Sequence, residues 1–103
     1  MSPLPDRYRR EAQLLSVLAH PLRLQILDLL RGEEACVCDL QAALHQRQAY
    51  VSQHLMALRD ASLVTCRKEG LRVYYQLCDP NILRVLDVLR AVNPDHAVDR
   101  RSG

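Results

Sequence analysis

Apolar residues recur along most of this 103-residue chain at the three- and four-residue spacing of amphipathic helices. The repeat is interrupted at Pro21, at Gly32 and around Gly70, which are residues that favour turns or helix ends. Pro21 also suits the first turn of a helix, and Asp6 and Asp79 precede apolar stretches as candidate caps. We therefore predict helices over residues 7–19, 21–31, 37–44, 48–61 and 80–92.

A β-hairpin is expected between the last two helices. Two short runs that contain Val, Thr and Tyr flank Gly70 and predict strands over residues 63–69 and 71–77. A turn of two residues sets Cys66 opposite Tyr75, whereas a turn of three residues sets it opposite Tyr74. In neither register should Cys66 and Cys78 form a disulfide or share one ion.

The order of these elements predicts the fold. The third and fourth helices, joined by a short turn, form a helix-turn-helix that presents its second helix to DNA. We predict a mainly α-helical protein with a β-hairpin wing, a winged helix-turn-helix in which four helices precede the hairpin and one follows it. Residues 1–103 are expected to form one domain, with flexible ends over residues 1–5 and 94–103.

The last predicted helix is apolar on more than one face. Its apolar residues are Ile82, Leu83, Val85, Leu86, Val88, Leu89 and Val92. A terminal helix of this kind needs a second surface to bury it, and a domain this small gains stability from a partner chain. We expect a homodimer in which this helix and the first helix form the interface, with Leu86 inside it.

Composition and charge bear on the class of protein and on its cellular location. Hydrophobic residues make up 49% of the chain and charged residues 25%, as in a folded domain. The net charge is only +2, so DNA binding must be argued from the positions of the charges. Neither a membrane-length apolar run nor a signal peptide is apparent. The four cysteines lack the spacing of a secreted disulfide framework, so we expect a cytoplasmic protein with reduced thiols.

Polar side chains of the fourth helix and basic side chains of the hairpin are the candidate DNA contacts. Gln can bond adenine at two atoms, Ser and His can reach bases or phosphates, and Lys and Arg of a wing can lie on phosphates or in the minor groove. The candidates are Arg47, Gln48, Ala49, Tyr50, Ser52, Gln53 and His54 around the fourth helix, and Arg67, Lys68 and Arg72 of the hairpin.

Cys36 and Cys38 at the start of the third helix are the candidate effector ligands. Cys36 stands at the cap position of a capping box and Asp39 at the third helical position. Side chains two residues apart on a regular helix point about 200° apart, so we expect the first turn to distort when both thiolates bind one ion. Thiolates favour As(III), Cd(II), Hg(II) and Zn(II). Cys66 and Cys78 are minor candidates for a third ligand.

Several stretches carry a specific resemblance. They are residues 18–27 (LAHPLRLQIL), 35–40 (ACVCDL), 48–55 (QAYVSQHL), 58–64 (LRDASLV) and 68–77 (KEGLRVYYQL). In this order they resemble the second helix, the Cys-Val-Cys box, the recognition helix, the entry to the wing and the wing of the ArsR/SmtB family of metalloregulatory repressors.

The resemblance has departures. Gln41 stands where some arsenic sensors of the family carry a further Cys, and Ser62 stands where Gly is usual. Asn81 and Val92 occupy positions where the family's zinc site on the last helix would need His. The Cys-Val-Cys box is therefore the effector site that the resemblance favours.

The resemblance implies a dimeric repressor that binds double-stranded operator DNA and releases it when a thiophilic metal or metalloid, As(III) before Cd(II) and other soft ions, binds Cys36 and Cys38. Such a protein needs no cofactor to fold. Two alternatives remain: a repressor of the same fold whose thiols sense oxidants or persulfides, and a winged-helix module that binds protein. No nucleophile-base pattern or glycine-rich phosphate loop occurs in the sequence, so an enzyme is not expected.

Overall fold

The computed structural model describes residues 5–92, so the ends predicted to be flexible lie outside the described residues except for Pro5. The elements are α1 (Asp6–Leu18), α2 (Pro21–Leu29), β1 (Ala35–Cys36), α3 (Val37–Leu44), α4 (Gln48–Asp60), β2 (Val64–Glu69), β3 (Arg72–Leu77) and α5 (Asn81–Val92). The predicted winged helix-turn-helix is confirmed, with α3 and α4 as the helix-turn-helix and β2 and β3 as the wing. None of the described helices is long and apolar enough to cross a membrane.

The predicted caps have different outcomes. Asp79 acts as expected, because its carboxylate accepts a hydrogen bond from the Asn81 amide at 2.9 Å, at the start of α5. Asp6 does not cap α1, since it lies in the first turn of that helix and Pro5 occupies the cap position without a side-chain bond. An acidic residue in a first turn still interacts favourably with the helix dipole.

The strand β1 is an element that the sequence pattern does not predict. It pairs with β3 in antiparallel register, Ala35 with Tyr75 and Cys36 with Tyr74, which gives a three-stranded sheet in the order β1-β3-β2. A strand of two residues is too short to produce an alternating pattern. Its consequence is that the segment entering α3 is hydrogen-bonded to the wing.

The hairpin adopts the first of the two predicted registers. Cys66 pairs with Tyr75, and Glu69 pairs with Arg72 across a turn of two residues. Gly70 opens that turn with φ of +63°, which a glycine adopts without steric cost. The side chains of Cys66 and Cys78 are exposed and unpaired, as expected.

The core lies between α2, α3, α4 and the base of the sheet. The side chains exposed by less than two per cent include Ile26, Leu27, Leu40, Val51, Leu55, Leu58 and Val64. Leu86 of α5 is also buried within the protomer, at 3% exposure, so its expected place in a dimer interface is wrong. Helical periodicity groups apolar residues on α5 but does not say which of its two apolar faces meets the protomer's own core.

An apolar surface remains on the outside of α5 and α1. On α5, Val88 is 61% and Leu89 46% exposed, and on α1 Leu15 is 58% exposed. We call these residues, with Val92 and Tyr8, the outer apolar surface. Several large exposed apolar side chains on two helices are typical of a protein interface.

Ser62 provides a test of local strain after α4. Its φ of +62° lies in the left-handed region, which costs a residue with a Cβ atom about 1–2 kcal/mol. We expect Ser62→Gly to raise the free energy of unfolding by about 0.5–1 kcal/mol, because the greater freedom of glycine in the unfolded chain offsets part of the gain. Urea denaturation at one fixed protein concentration measures the change.

The matched control for this change is Ala61→Gly. Ala61 ends α4 with φ of −86°, where a Cβ atom is tolerated, so glycine there should lower the free energy of unfolding. If both glycine variants are destabilised alike, the conformation assigned to Ser62 is wrong.

Candidate DNA-binding surface and thiol site

One face of α4 is exposed and polar while the opposite face is buried. Arg47, at the cap position, lines an open surface hollow with Ala49, Tyr50 and Gln53. Gln48 is also exposed and begins the helix, and Ser52 is half-buried. The structure therefore brings together on one surface six of the seven residues predicted as DNA contacts around α4.

His54 is the seventh of those residues and lies on the other face. Its side chain is only 6% exposed, since position 54 shares a face with the buried Val51 and Leu58. Its Nδ1 accepts a hydrogen bond from Arg23 Nε at 3.0 Å. This corrects the expectation that the His54 imidazole reaches a phosphate or a base edge.

The surroundings of His54 keep its ring neutral. Burial, followed by the charges of His20 and Arg23, lowers the pKa of the His54 imidazole. The partner in its hydrogen bond, Arg23, lies 31 residues away in the chain. A contact so distant in sequence leaves no local signal from which it could be predicted.

The basic residues of the wing are in two different situations. Arg67 Nε donates to Glu34 Oε2 at 3.1 Å, and its guanidinium also pairs with Glu69 and lies 4.7 Å from the centre of the Tyr74 ring. The hydrogen bond from Arg67, with its charge, lowers the pKa of the Glu34 carboxyl, so the pair stays ionised. Arg67 is thus held beside the sheet, where its predicted contact with DNA would compete with a carboxylate.

Lys68 and Arg72 are the basic wing residues that remain available. Within residues 5–92, neither forms an ion pair with a carboxylate. Both are exposed on either side of the turn, and Leu71 between them is fully exposed. Two unpaired cations at a hairpin end suit the phosphate backbone of DNA.

Cys36 caps α3 as the capping box predicts. Its Sγ accepts a hydrogen bond from the Asp39 amide at 3.2 Å, and the Asp39 carboxylate accepts one from the Cys36 amide at 3.3 Å. The backbone of Cys36 is extended, with φ of −81° and ψ of 160°, because the residue still belongs to β1. Cys36 is 1% exposed, so its thiol is a core side chain as well as a cap.

The sulfur atoms of Cys36 and Cys38 lie together at the start of α3. They are joined as a disulfide, with the two Cα atoms 5.3 Å apart. The expectation that α3 must distort to bring them together is wrong, because the helical separation of 200° does not apply to a residue that lies before the helix and has an extended backbone. The Asp39 carboxylate also lies within 4.8 Å of both sulfur atoms.

A cavity of about 140 Å³ opens beside these sulfur atoms. Its walls come from β1, α3, α4, β3 and the hairpin turn, and its lining residues are Cys36, Val37, Cys38, Gln41, Gln48, Leu71, Arg72 and Val73. Gln48 begins the exposed face of α4, and Arg72 begins β3 of the wing. The thiol site is therefore in contact with both elements that carry candidate DNA contacts, which the sequence alone does not reveal.

Cys66 and Cys78 take no part in this cluster. In the described part of the chain, the one group of three potential metal ligands is Cys36, Cys38 and Asp39. Cys66 instead accepts a hydrogen bond from Arg59 at 3.7 Å, on the exposed side of the sheet. The structure gives these two thiols no place as a third ligand without rearrangement.

The sequence is similar to those of bacterial regulatory proteins. The family model of the arsR family of bacterial regulatory proteins matches residues 20–65. An SmtB repressor homolog of Synechocystis is 39% identical over 80 residues, which cover 78% of this chain and 61% of that protein. The biofilm growth-associated repressor of Agrobacterium fabrum is 37% identical over 93 residues, covering 87% of this chain and 80% of that protein.

Two further relatives bear on the effector and on assembly. The arsenical resistance operon repressor of Staphylococcus xylosus is 44% identical over 70 residues, covering 68% of this chain and 67% of that protein. A homodimeric winged helix-turn-helix DNA-binding domain from Mycobacterium bovis has a TM-score of 0.75 at 32% identity, covering 93% of each chain. These relatives are regulators of transcription and not enzymes. The chain belongs to the arsR family of bacterial regulatory proteins, which are DNA-binding transcriptional regulators.

Proposed function

We propose that the protein is a cytoplasmic, homodimeric repressor that holds its operator while Cys36 and Cys38 are reduced and free. It releases the operator when a thiophilic ion binds both thiolates, with As(III) as the favoured effector. The observation that carries this proposal is the cavity beside the two sulfur atoms, because its walls include Gln48 of α4 and Arg72 of the wing. An ion bound there changes the surroundings of two predicted DNA contacts at once.

The donor set favours a soft ion of low coordination number. Two sulfur atoms and one carboxylate are available, and Gln41 stands where a further thiol could have been. Structural Zn(II) sites are almost always four-coordinate, so this cluster would leave Zn(II) short of a protein ligand. The name of the arsenical resistance relative from Staphylococcus xylosus supports As(III) by similarity.

A specific observation favours the second candidate, a thiol redox sensor. The two sulfur atoms are joined as a disulfide, and the Cα atoms are 5.3 Å apart, within the range of disulfide-bonded pairs. A peroxide would accept the two electrons and both thiol protons as the S–S bond forms. This candidate uses the same cavity and predicts release by oxidant under conditions where no soft ion is present.

The outer apolar surface leads to a test of the dimer. Val88→Glu places a charge where we propose that two protomers meet, and desolvating it should convert the dimer to monomers. Light scattering at micromolar concentration should give about the chain mass of 11.8 kDa for this variant and twice that for the parent. Met56→Glu is the control, since Met56 is 51% exposed on α4, away from this surface, and should leave the dimer intact. If the parent protein is a monomer in this measurement, the proposal that a dimer binds a two-fold operator is wrong.

The DNA contacts are tested by two variants that should behave differently. Gln48→Ala should weaken binding to the preferred operator by roughly 1–3 kcal/mol and relax base preference at one position of each half-site. Arg72→Ala should weaken binding to all sequences and reduce the slope of log affinity against log salt by about 1. Selection from random duplexes followed by fluorescence anisotropy at several salt concentrations measures both effects.

The control for these variants is Gln25→Ala, an exposed change on α2 that should alter neither property. Unchanged base preference in Gln48→Ala would contradict the assignment of α4 as the reading helix. An unchanged salt slope in Arg72→Ala would instead exclude the wing contact.

The thiol site is tested by paired substitutions. The parent should lose operator affinity by about 1–3 kcal/mol when As(III) is added under reducing conditions. Cys36→Ser with Cys38→Ser should still bind the operator, because Ser at position 36 retains a side-chain cap, but should not respond to As(III). Cys66→Ser with Cys78→Ser should respond as the parent does, since those thiols lie outside the cluster.

Anisotropy titrations with As(III), Cd(II) and hydrogen peroxide separate the candidates. Release by peroxide alone would favour the redox sensor over the ion sensor. A response that survives loss of Cys36 and Cys38 but disappears with Cys66 and Cys78 would contradict both.

A further inference from the structure

A buried polar cluster lies behind the recognition surface, between α2 and α4. His54 of α4 accepts a hydrogen bond at Nδ1 from Arg23 Nε at 3.0 Å, and Arg23 Nη1 donates to the Val17 carbonyl at 3.0 Å. The His20 ring lies 4.2 Å from the His54 ring, measured between centroids. The cluster is separate from the thiol site, the proposed release mechanism does not use it, and the buried His54 is no longer assigned a direct contact with DNA.

The hydrogen bond fixes the protonation state that His54 must have. A guanidinium only donates, so the Nδ1 atom of His54 must be unprotonated while the bond lasts. The ring proton is then on Nε2, which is buried and has no hydrogen-bond partner among the described residues. An imidazolium in this place would lose the bond and set its charge, on a buried ring, against that of the half-buried Arg23.

The cluster is in direct contact with the exposed face of α4. Tyr50 packs against His54 with the ring centroids 4.7 Å apart and the planes at 85°. The Tyr50 side chain is 40% exposed and lines the same surface hollow as Arg47 and Gln53. The Tyr50 ring therefore lines that hollow while its inner side packs edge-on against the His54 ring.

We propose that neutral His54 is a positioning residue for DNA recognition: by accepting the Arg23 hydrogen bond, it fixes the rotation of α4 and the place of Tyr50 on the reading surface. Loss of this acceptor lowers operator affinity even though His54 does not touch DNA. The proposal rests on α4 being the reading helix, which the Gln48→Ala variant tests independently.

Protonation of His54 should have the same effect as removal of the acceptor. The titratable and charged groups that face it are His20, which caps α2, Arg23 of α2 and Tyr50 of its own helix. Because the pKa of folded His54 is lowered, the unfolded chain binds more protons than the folded chain near the ordinary histidine range of about 6.5. Folding stability is then retained above that range and falls as the pH drops through it, whereas operator affinity falls at lower pH, as the folded protein approaches the lowered pKa of His54.

The experiment measures operator affinity of the full-length dimer between about pH 7.5 and about pH 5.5. In His54→Asn, the amide oxygen replaces Nδ1 as acceptor without titrating. We expect this variant to bind at neutral pH within about threefold of the parent and to lose less affinity on acidification. His54→Leu leaves the Arg23 guanidinium without its acceptor, and we expect affinity to fall by at least about tenfold while the dimer and its circular dichroism persist.

Matched controls separate His54 from the other histidines. His45→Asn changes an exposed histidine whose left-handed backbone Asn tolerates, and it should retain the acid response of the parent. His20→Asn keeps a side-chain cap for the Leu22 amide and tests whether the acid response comes from the neighbouring ring instead.

The proposal is overturned if His54→Leu binds the operator as tightly as the parent, or if His54→Asn loses affinity on acidification as strongly as the parent. Should His54→Leu fail to fold, the acid response of His54→Asn decides alone. If the parent does not bind DNA, or if Gln48→Ala leaves base preference unchanged, the failure lies with the proposed reading helix and not with His54.

Discussion

The transition from strand to helix at Cys36 is the feature on which the proposed regulation depends. One residue pairs with Tyr74 of the wing strand β3, caps α3 through its side chain, and supplies a buried sulfur atom to the thiol site. An extended backbone at the cap position is a general requirement of helix N-termini. Here that requirement also turns the Cys36 sulfur towards Cys38, so the geometry of the cap produces the thiol pair.

The capping role gives the proposed release mechanism a physical basis. An ion bound to the Cys36 sulfur atom would compete with the hydrogen bond that this atom accepts from the Asp39 amide, and loss of a side-chain cap typically costs about 0.5–2 kcal/mol. Coupling between an effector and DNA is typically about 1–3 kcal/mol. Under the proposed mechanism, the loss of this cap is therefore comparable in size to the coupling that release from DNA requires.

The features that were predictable from the sequence are those with a local physical cause. Period and turn residues predicted the helices, and Gly70 between two short runs that contain Val, Thr and Tyr predicted the wing and two possible registers, one of which, with Cys66 opposite Tyr75, the structure adopts. The capping box at Cys36 and Asp39 was also predictable, because its members are three residues apart. Of the candidate site, the exposed face of α4 and the thiol pair followed from the same patterns.

The features that the sequence did not predict depend on contacts between residues distant in the chain. β1 is a strand only because β3 pairs with it. His54 appeared polar and available for DNA, but Arg23 provides the partner that makes its burial possible. Leu86 is buried by the protomer and Val88 is not, a distinction that depends on how α5 packs and not on its period.

The thiol site and the hydrogen bond between Arg23 and His54 meet α4 at different places. The thiol cavity contacts only the first residue of the helix, Gln48, whereas the bond between Arg23 and His54 lies near its middle and joins it to α2. Under the proposed mechanism, an effector at Cys36 and Cys38 acts on the first residue of α4 and on the wing, whereas the bond between Arg23 and His54 joins the middle of α4 to α2. The proposed release and the proposed positioning of the reading helix therefore depend on different ends of the same contact surface and can be tested separately.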